Sequence, residues 1–195
     1  MTVSNINNSL FTDLSALDGQ TLSTLTAVNG QTIVSTPPPS VPFINSFTAG
    51  TLRSNAGFPL GFRFTVGSSA MTVTSLGRWR VSGNTGMHVV QIVDTSSPNG
   101  HVAQATLDMS SGTVNAFKFA AITPVVLTAN HDYFVVSEES NGGDQWSDDN
   151  ATVGTTADGT ITTSEYEPGG INSGVWQSNT AGVKSYVAPN FEYYI

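Results

Sequence analysis

The chain has 195 residues, of which only 10% are charged, and its six Lys and Arg against fourteen Asp and Glu give a formal net charge of −8. Six scattered cations do not supply the concentrated basic face that phosphate backbones require, so the composition argues against nucleic acid as a partner. The chain has no cysteine, which excludes disulfides, thiol chemistry and cysteine-based zinc sites.

The N-terminal sequence bears on where the protein is made. Residues 1–10 lack the positive start and the continuous apolar stretch of a secretory signal. No segment approaches the ~18 consecutive apolar residues of a membrane span. We therefore expect synthesis in the cytoplasm and no membrane partner.

A short repeat lies near the N-terminus. Residues 14–22 (LSALDGQTL) align with residues 25–33 (LTAVNGQTI) at an offset of 11 residues (25 minus 14). Each unit carries Asp18-Gly19 or Asn29-Gly30 between apolar residues, and these dipeptides favour the positive φ angles of tight turns. The repeat predicts two strand–turn–strand units.

Such units are too small to bury their own apolar side chains, because an isolated hairpin is marginal in water. We therefore expect the segment to attach to another surface. A repeated apolar arm is also readily buried around a symmetry axis, which predicts a homo-oligomer and makes a trimer plausible. The predicted attachment residues are Leu14, Leu17, Leu22, Leu25, Val28 and Ile33.

A proline-rich stretch follows the repeat. Pro37, Pro38 and Pro39 are consecutive, and such a run prefers an extended conformation that acts as a semi-rigid spacer. The sequence therefore predicts an N-terminal attachment arm over residues 1–36, a linker over residues 37–42 and a main domain over residues 43–195.

The main domain shows the period-2 pattern of β-strands. Leu60, Phe62, Phe64 and Val66 alternate with Gly and polar residues, and further short apolar segments recur between Gly, Asn, Ser and Pro turns. Seven or more short strands at this spacing predict an all-β fold, an antiparallel β-sandwich of jelly-roll or immunoglobulin-like topology. The pattern does not decide between these topologies.

Candidate catalytic and metal-binding residues form no recognisable pattern. His88, His101 and His131 have no nucleophile motif beside them and no zinc-ligand spacing, so we expect ordinary strand or turn histidines. Arg78 and Arg80 alternate along a predicted strand, where a solvated face is expected. We predict no catalytic residue, no cofactor and no metal site.

The irregular segment of residues 138–150 is acidic and rich in turn residues, so we expect a surface excursion. A glycosidase needs two carboxylates at a fixed separation, and the abundance of acids here does not establish a pair, because acidic loop residues are mostly solvated. A structural calcium ion held by residues 144–150 stays open, although the spacing is not that of an EF-hand. The carboxylates concerned are Glu138, Glu139, Asp144, Asp148, Asp149, Glu165 and Glu167.

Two tryptophans are candidates for weak glycan binding. Trp146 lies among Gly, Asp and Asn in a predicted loop, and Trp176 lies in a second irregular stretch. Aromatic rings stack on sugar rings, but an aromatic side chain in a polar loop also commonly anchors that loop to the core. Both interpretations of these tryptophans stay open.

In residues 57–136 the strand GFPLGFRFTV is followed by VTSLG and later by TPVVLTANHDYFV. With these motifs, much of the main domain resembles a family of bacterial and phage β-sandwich domains of unknown function, and residues 186–191 look like the closing strand of that family. Asn130-His131 stands where the family has a small turn residue. The resemblance implies a sandwich and not a site.

The arm is similar to segments of phage structural proteins in which short Leu-x-x-Val-Asn-Gly-x-x-Ile units recur, and this implies anchoring to a larger assembly. We therefore expect a non-enzymatic virion structural protein, a capsid decoration, head-fibre or tail-associated protein, whose outward sandwich binds a host or environmental glycan weakly. One alternative is a carbohydrate-binding module of a bacterial surface protein, and another is a polysaccharide-degrading enzyme.

Overall fold

A computed structural model of the chain describes residues 37–179 and 186–195, together with the backbone of four two-residue strands in the arm. The arm strands are β1 (Ala16–Leu17), β2 (Gln20–Thr21), β3 (Ala27–Val28) and β4 (Gln31–Thr32). The others are β5 (Val41–Pro42), β6 (Ile44–Thr48), β7 (Leu52–Arg53), β8 (Pro59–Val66), β9 (Met71–Arg80), β10 (Met87–Asp94), β11 (Ala103–Asp108), β12 (Ala116–Leu127), β13 (Asp132–Glu138), β14 (Trp146–Ser147), β15 (Thr152–Thr155), β16 (Gly159–Tyr166), β17 (Gln177–Asn179) and β18 (Pro189–Tyr194). Among the described residues, no helix has the length and apolar character needed to cross a membrane.

The chain divides into two compact units, Met1–Pro38 and Pro39–Ile195. In the first unit β1 pairs with β2 and β3 pairs with β4, both antiparallel. These pairs flank the Asp-Gly and Asn-Gly dipeptides, so the paired strands of the predicted units are present, and the dipeptides themselves lie outside the described residues. Of the predicted attachment residues, the structure describes only the backbones of Leu17 and Val28. Leu14, Leu22, Leu25 and Ile33 lie outside the described residues.

The second unit is an antiparallel β-sandwich, as the sequence predicts. One sheet has six strands in the order β11-β10-β13-β8-β16-β17, and the other has four in the order β12-β9-β18-β5. Two smaller pairs, β14 with β7 and β15 with β6, accompany them. Strand β5 lies in the predicted linker, where Val41 and Pro42 pair with Tyr193 and Glu192 of β18.

The main core lies between the two large sheets. Phe62 and Phe64 of β8 project from the six-stranded sheet, and Phe191 of β18 projects from the other, all at most 1% exposed. Phe43 joins them, with its ring stacked on that of Phe191 at a centroid distance of 4.8 Å. Alternate side chains of β8 are thus buried in the core, which explains the period-2 apolar pattern of its sequence.

Asn190 connects the closing strand to the start of β6. It is fully buried, its Nδ2 donates to the backbone oxygen of Ile44 at 3.0 Å, and its Oδ1 accepts from the backbone nitrogens of Ile44 and Phe191, each at 2.9 Å. The carboxamide therefore takes the place of a peptide group in pairing with Ile44. Only a side chain with both a donor and an acceptor can do this.

Replacing Asn190 by Asp is expected to destabilise the sandwich strongly. The carboxylate cannot donate to the oxygen of Ile44 and places a buried charge against it, so we expect a loss of about 3 kcal/mol or more in the free energy of unfolding. Urea denaturation of the full chain measures this loss. Asn141→Asp, at an exposed turn position, is the control and should stay within about 0.5 kcal/mol of the parent. Equal stability of the two variants would contradict the role of the amide.

Candidate functional site

Arg78 is fully buried, which corrects the prediction of a solvated arginine face. Its Nε and Nη2 donate to Oε1 and Oε2 of Glu139 at 3.0 and 2.7 Å, and the two side chains are 0% exposed. Ser137 and the backbone oxygens of Trp79 and Gln145 accept its remaining hydrogen bonds. The prediction failed because the partner that allows burial of the guanidinium lies far away in the sequence.

His88 extends this buried pair into a network. Its Nδ1 lies 2.8 Å from the backbone oxygen of Glu138 and 3.4 Å from Oε2 of Glu139, and its Nε2 lies 3.1 Å from Oδ2 of Asp144. Both ring nitrogens thus face acceptors, which favours the imidazolium. Burial lowers the pKa of His88, but the hydrogen bond and negative charge of Glu139 outweigh burial and raise this pKa above 6.5.

The two carboxylates of the network are held ionised. Burial raises the pKa of Glu139, but the hydrogen bond from His88 and the charge of Arg78 outweigh it, so this pKa is lowered. Burial also opposes ionisation of Asp144, and the backbone hydrogen bonds from Thr85 and Gly86 outweigh it, so the pKa is again lowered. Every carboxylate oxygen and ring nitrogen here has a partner. The network therefore holds the loops that carry these residues together. Its side chains provide no unpaired group that could act as a general acid or base.

Two further acidic residues of the irregular region, Glu165 and Glu167, are buried and not solvated as expected. The first accepts from Thr163 and Ser178, and the second accepts from the backbone nitrogens of residues 172 and 174 and from the hydroxyl of residue 173. Across residues 37–179 and 186–195, no three His, Asp or Glu side chains are grouped so that they could hold a metal ion.

Trp146 lies in a buried strand and not in a surface excursion. It is 3% exposed, and β14 pairs with β7 so that Trp146 lies opposite Arg53. Its indole belongs to a small hydrophobic cluster with Ala56, Leu60 and Ala188. The segment that follows Glu139 thus returns into the fold, which the surrounding Gly, Asp and Asn residues did not indicate.

A cleft of about 280 Å³ opens beside this tryptophan, and we call it the Trp146 cleft. Its lining residues come from the segment around β7, from the start of β8, from β14 and from the residues before β18. They are Arg53, Asn55, Ala56, Phe58, Leu60, Trp146, Asp148 and Tyr186. The cleft brings an indole, a phenol, a guanidinium and a carboxylate into one concave surface.

Two polar atoms of the Trp146 cleft have no hydrogen-bond partner. Trp146 Nε1 and Asp148 Oδ1 are both buried and unpaired, while Oδ2 of Asp148 contacts Nε of Arg53. Among the described residues only Trp79 Nε1 and Gln91 Oε1 share this condition. Buried polar groups are nearly always satisfied in folded proteins, so these two atoms are exceptions to the pairing seen elsewhere around the cleft.

The electrostatics of the Trp146 cleft are set by its acids. Burial, and then the charge of Asp149, raise the pKa of Asp148, while Arg53 opposes both effects. Nη2 of Arg53 also lies 3.6 Å from Oδ2 of Asp149. Arg53 thus contacts the carboxylates of both Asp148 and Asp149.

Trp176, the other predicted glycan-binding residue, lies in a different environment. Its ring stacks on Phe134 with centroids 4.1 Å apart and planes at 14°, and its Nε1 donates to the backbone oxygen of Pro98 at 3.3 Å. It belongs to a separate hydrophobic cluster from Trp146. The structure therefore does not bring the two tryptophans together.

The sequence analysis missed Arg53, Phe58 and Tyr186 as members of the site. Arg53 and Asp148 are far apart along the chain, so nothing local signals their pairing. Tyr186 is the most unusual of the three, because it has a φ of 60°, which is rare for a bulky side chain.

Comparison with protein-family models gave no match, and no curated protein matches the chain.

The charge on His88 predicts a distinct pH dependence. Because its pKa is raised in the folded state, its stabilising contribution is fully present below about pH 6.5 and is lost as the pH rises through the folded value. Glu139 and Asp144, whose pKa values are lowered, lose their contributions only on acidification. The free energy of unfolding of the parent should therefore fall, relative to His88→Gln, from about pH 6.5 upward.

Urea denaturation of both proteins across this range measures the difference. His101→Gln, which removes an exposed imidazole, is the matched control. Parallel pH profiles for the parent and His88→Gln would show that His88 is not held as an imidazolium.

Proposed function

We propose that the protein is a non-enzymatic structural protein of a bacteriophage virion, such as a capsid decoration, head-fibre or tail-associated protein, made in the host cytoplasm. The arm attaches to other virion proteins, and the sandwich is displayed outward. The observation that supports this most directly is that the two strand pairs of the arm belong to a compact unit of their own, Met1–Pro38, while the sandwich has its own hydrophobic core.

The size of the hairpins is the physical reason for an attachment role. Each strand of the arm has two residues, and hairpins of this size are marginal in water without a surface to cover them. The apolar residues Leu17 and Val28 lie in strands, directly opposite Gln20 and Gln31. A protein partner, or further copies of the arm around a symmetry axis, would supply the missing cover.

The edges of the sandwich support display as a discrete domain. Strand β12 forms one edge of the four-stranded sheet and carries Lys118, Pro124 and an irregularity between Ala121 and Val125. The opposite edge strand, β5, has two residues, and the edge strand β17 of the larger sheet has three. Lysine, proline, irregular register and short length all prevent an edge from pairing with another sheet.

Charged substitutions in the arm test the attachment role. Leu17→Asp combined with Val28→Asp should reduce the copies per particle at least about tenfold, because burying two carboxylates against a partner is unfavourable. Quantitative mass spectrometry of purified particles of the encoding phage provides the measurement. The control is Gln20→Asp combined with Gln31→Asp, which adds the same charge at the paired positions. The proposal fails if the parent is absent from particles or if both double variants assemble like the parent.

A second candidate function is carbohydrate binding by the sandwich, alone or as part of a virion. The Trp146 cleft favours it, because its lining combines the aromatic side chains of Phe58, Trp146 and Tyr186 with polar side chains. A glycan array probed with the full chain tests this function. We expect selective binding of at least one class of glycan, and an array without signal from folded protein would contradict it.

A further inference from the structure

We propose that strand β11 is the pairing site for a second copy of this chain. Two copies of β11 align antiparallel about a two-fold axis through Thr106, so that the six-stranded sheet of one copy continues into that of the other. This inference depends neither on the arm nor on the proposed virion role. It assigns an interaction surface, its partner and the register of the contact.

Strand β11 is the edge of the six-stranded sheet that lies opposite β17. It has six residues, and its register with β10 is uninterrupted from Ala103 to Asp108. The strand contains neither lysine nor proline. The features that prevent pairing at β12, β5 and β17 are therefore missing from β11, and such an edge is a template for another strand.

The backbone of β11 directs alternate groups toward this open edge. Met109, directly after the strand, donates its backbone N–H to the oxygen of Gly86 at 2.8 Å. Because hydrogen-bonded and non-hydrogen-bonded pairs alternate in an antiparallel ladder, the odd-numbered residues of β11 direct their N–H and C=O groups at β10. Those of Gln104, Thr106 and Asp108 point the other way, where no strand of the described chain pairs with β11.

The register of the contact follows from these directions. Hydrogen bonds form only where outward-directed residues of the two strands lie opposite each other. With Thr106 on the axis, Gln104 lies opposite the partner's Asp108, and all three outward residues of each strand take part. A shift in one direction would use Val102, whose nitrogen already donates to β10 at 2.9 Å. A shift in the other would use Ser110, whose nitrogen donates to Oδ1 of Asp108 at 2.8 Å.

The side chains that meet in this register are complementary. Gln104, Thr106 and Asp108 are exposed and share one face of the strand. Oε1 of Gln104 accepts from Gln91 at 2.7 Å, which leaves the amide N–H groups of Gln104 available. Oδ2 of Asp108 is likewise available, because Ser110 donates to Oδ1. The Gln104 amide therefore donates to the carboxylate of the partner's Asp108, and symmetry repeats this contact.

Charge favours this edge over the rest of the surface. The chain has a net charge of −8, so contact between most parts of two copies is repulsive. At β11 the ammonium of Lys118 donates to the backbone oxygen of Asp108 and accompanies its carboxylate. The two copies of Asp108 are about 13 Å apart in this register, which exceeds the Debye length of about 8 Å at physiological salt. No like charges lie directly opposite each other.

The flank of β11 is open to an approaching strand. A groove of about 530 Å³ lies between β11 and β12, and its walls include the apolar side chains of Ala105, Ala120, Ile122 and Val125. These four residues are half-buried. A strand added to β11 extends the larger sheet over the groove and removes part of this apolar wall from water, which favours association.

Introduced cysteines test the register, because the chain has none of its own. Opposite residues of a hydrogen-bonded pair have Cα atoms about 5.5 Å apart, which a disulfide can bridge. Under mild oxidation, Thr106→Cys in the full chain should form a disulfide-linked dimer at least about tenfold faster than Gln104→Cys, whose two copies lie about 13 Å apart. A mixture of Gln104→Cys and Asp108→Cys should cross-link as the Thr106 variant does. Non-reducing gel electrophoresis measures the rates.

Sedimentation velocity of the full chain measures the association itself. The parent should show a concentration-dependent dimer that strengthens with added NaCl, because salt screens the net repulsion. Thr106→Pro should weaken the dimer at least about tenfold, since it removes an N–H from each side of the contact. Proline is tolerated in an edge strand where the N–H faces solvent, so the monomer should stay folded. Thr106→Ser keeps the N–H and should associate like the parent.

Three results overturn the proposal. The first is a parent that stays monomeric up to about 200 µM, where even a small interface should be populated. The second is a folded Thr106→Pro variant that associates as tightly as the parent, and the third is equal cross-linking by Gln104→Cys and Thr106→Cys. Oligomers formed through the arm alone would give the last two results. If Thr106→Pro does not fold, the cross-linking rates decide.

Discussion

The burial of the Arg78 guanidinium is the constraint on which much of the sandwich depends. Strand β9 of the four-stranded sheet carries this charge, and its partner Glu139 directly follows β13 of the six-stranded sheet, so the ion pair joins the two sheets. A buried charge without its partner destabilises a fold by about 3–5 kcal/mol. Glu139 and Gln145, which also accepts from Arg78, are thereby fixed, and the chain enters β14 from a determined position.

The Trp146 cleft follows from that constraint. Asn84 donates to the backbone oxygen of Gln145 and accepts from its nitrogen, while Asp144 caps the backbone of Thr85 and Gly86. The residues immediately before Trp146 are thus held from several sides by satisfied polar groups. Two atoms of residues that line the cleft, Trp146 Nε1 and Asp148 Oδ1, contrast with these satisfied groups, and among the described residues they share their unpaired state with Trp79 Nε1 and Gln91 Oε1.

Sequence reasoning predicted what depends on neighbours along the chain. The alternation from Leu60 to Val66 identified β8, and the Asp-Gly and Asn-Gly dipeptides located the arm hairpins, because strand pattern and turn chemistry are local. It failed for Arg78, Glu139 and the segment around Trp146, since their burial depends on partners that are remote in sequence. Of the residues that line the Trp146 cleft, only Trp146 and Asp148 were candidates, the first for glycan binding and the second as one of the loop carboxylates. Its other members converge through sheet topology, which no local pattern encodes.

The edge strands of the sandwich affect how closely copies of the domain can lie to one another. Proteins displayed on a particle stand close to identical copies, and this is the condition under which open sheets fuse into fibrils. Lys118 and Pro124 lie on one long border, and β5 and β17 have only two and three residues, so these three edges give a neighbouring copy little backbone to share. In the proposed virion layer, close copies of the sandwich would therefore stay separately folded along these three edges.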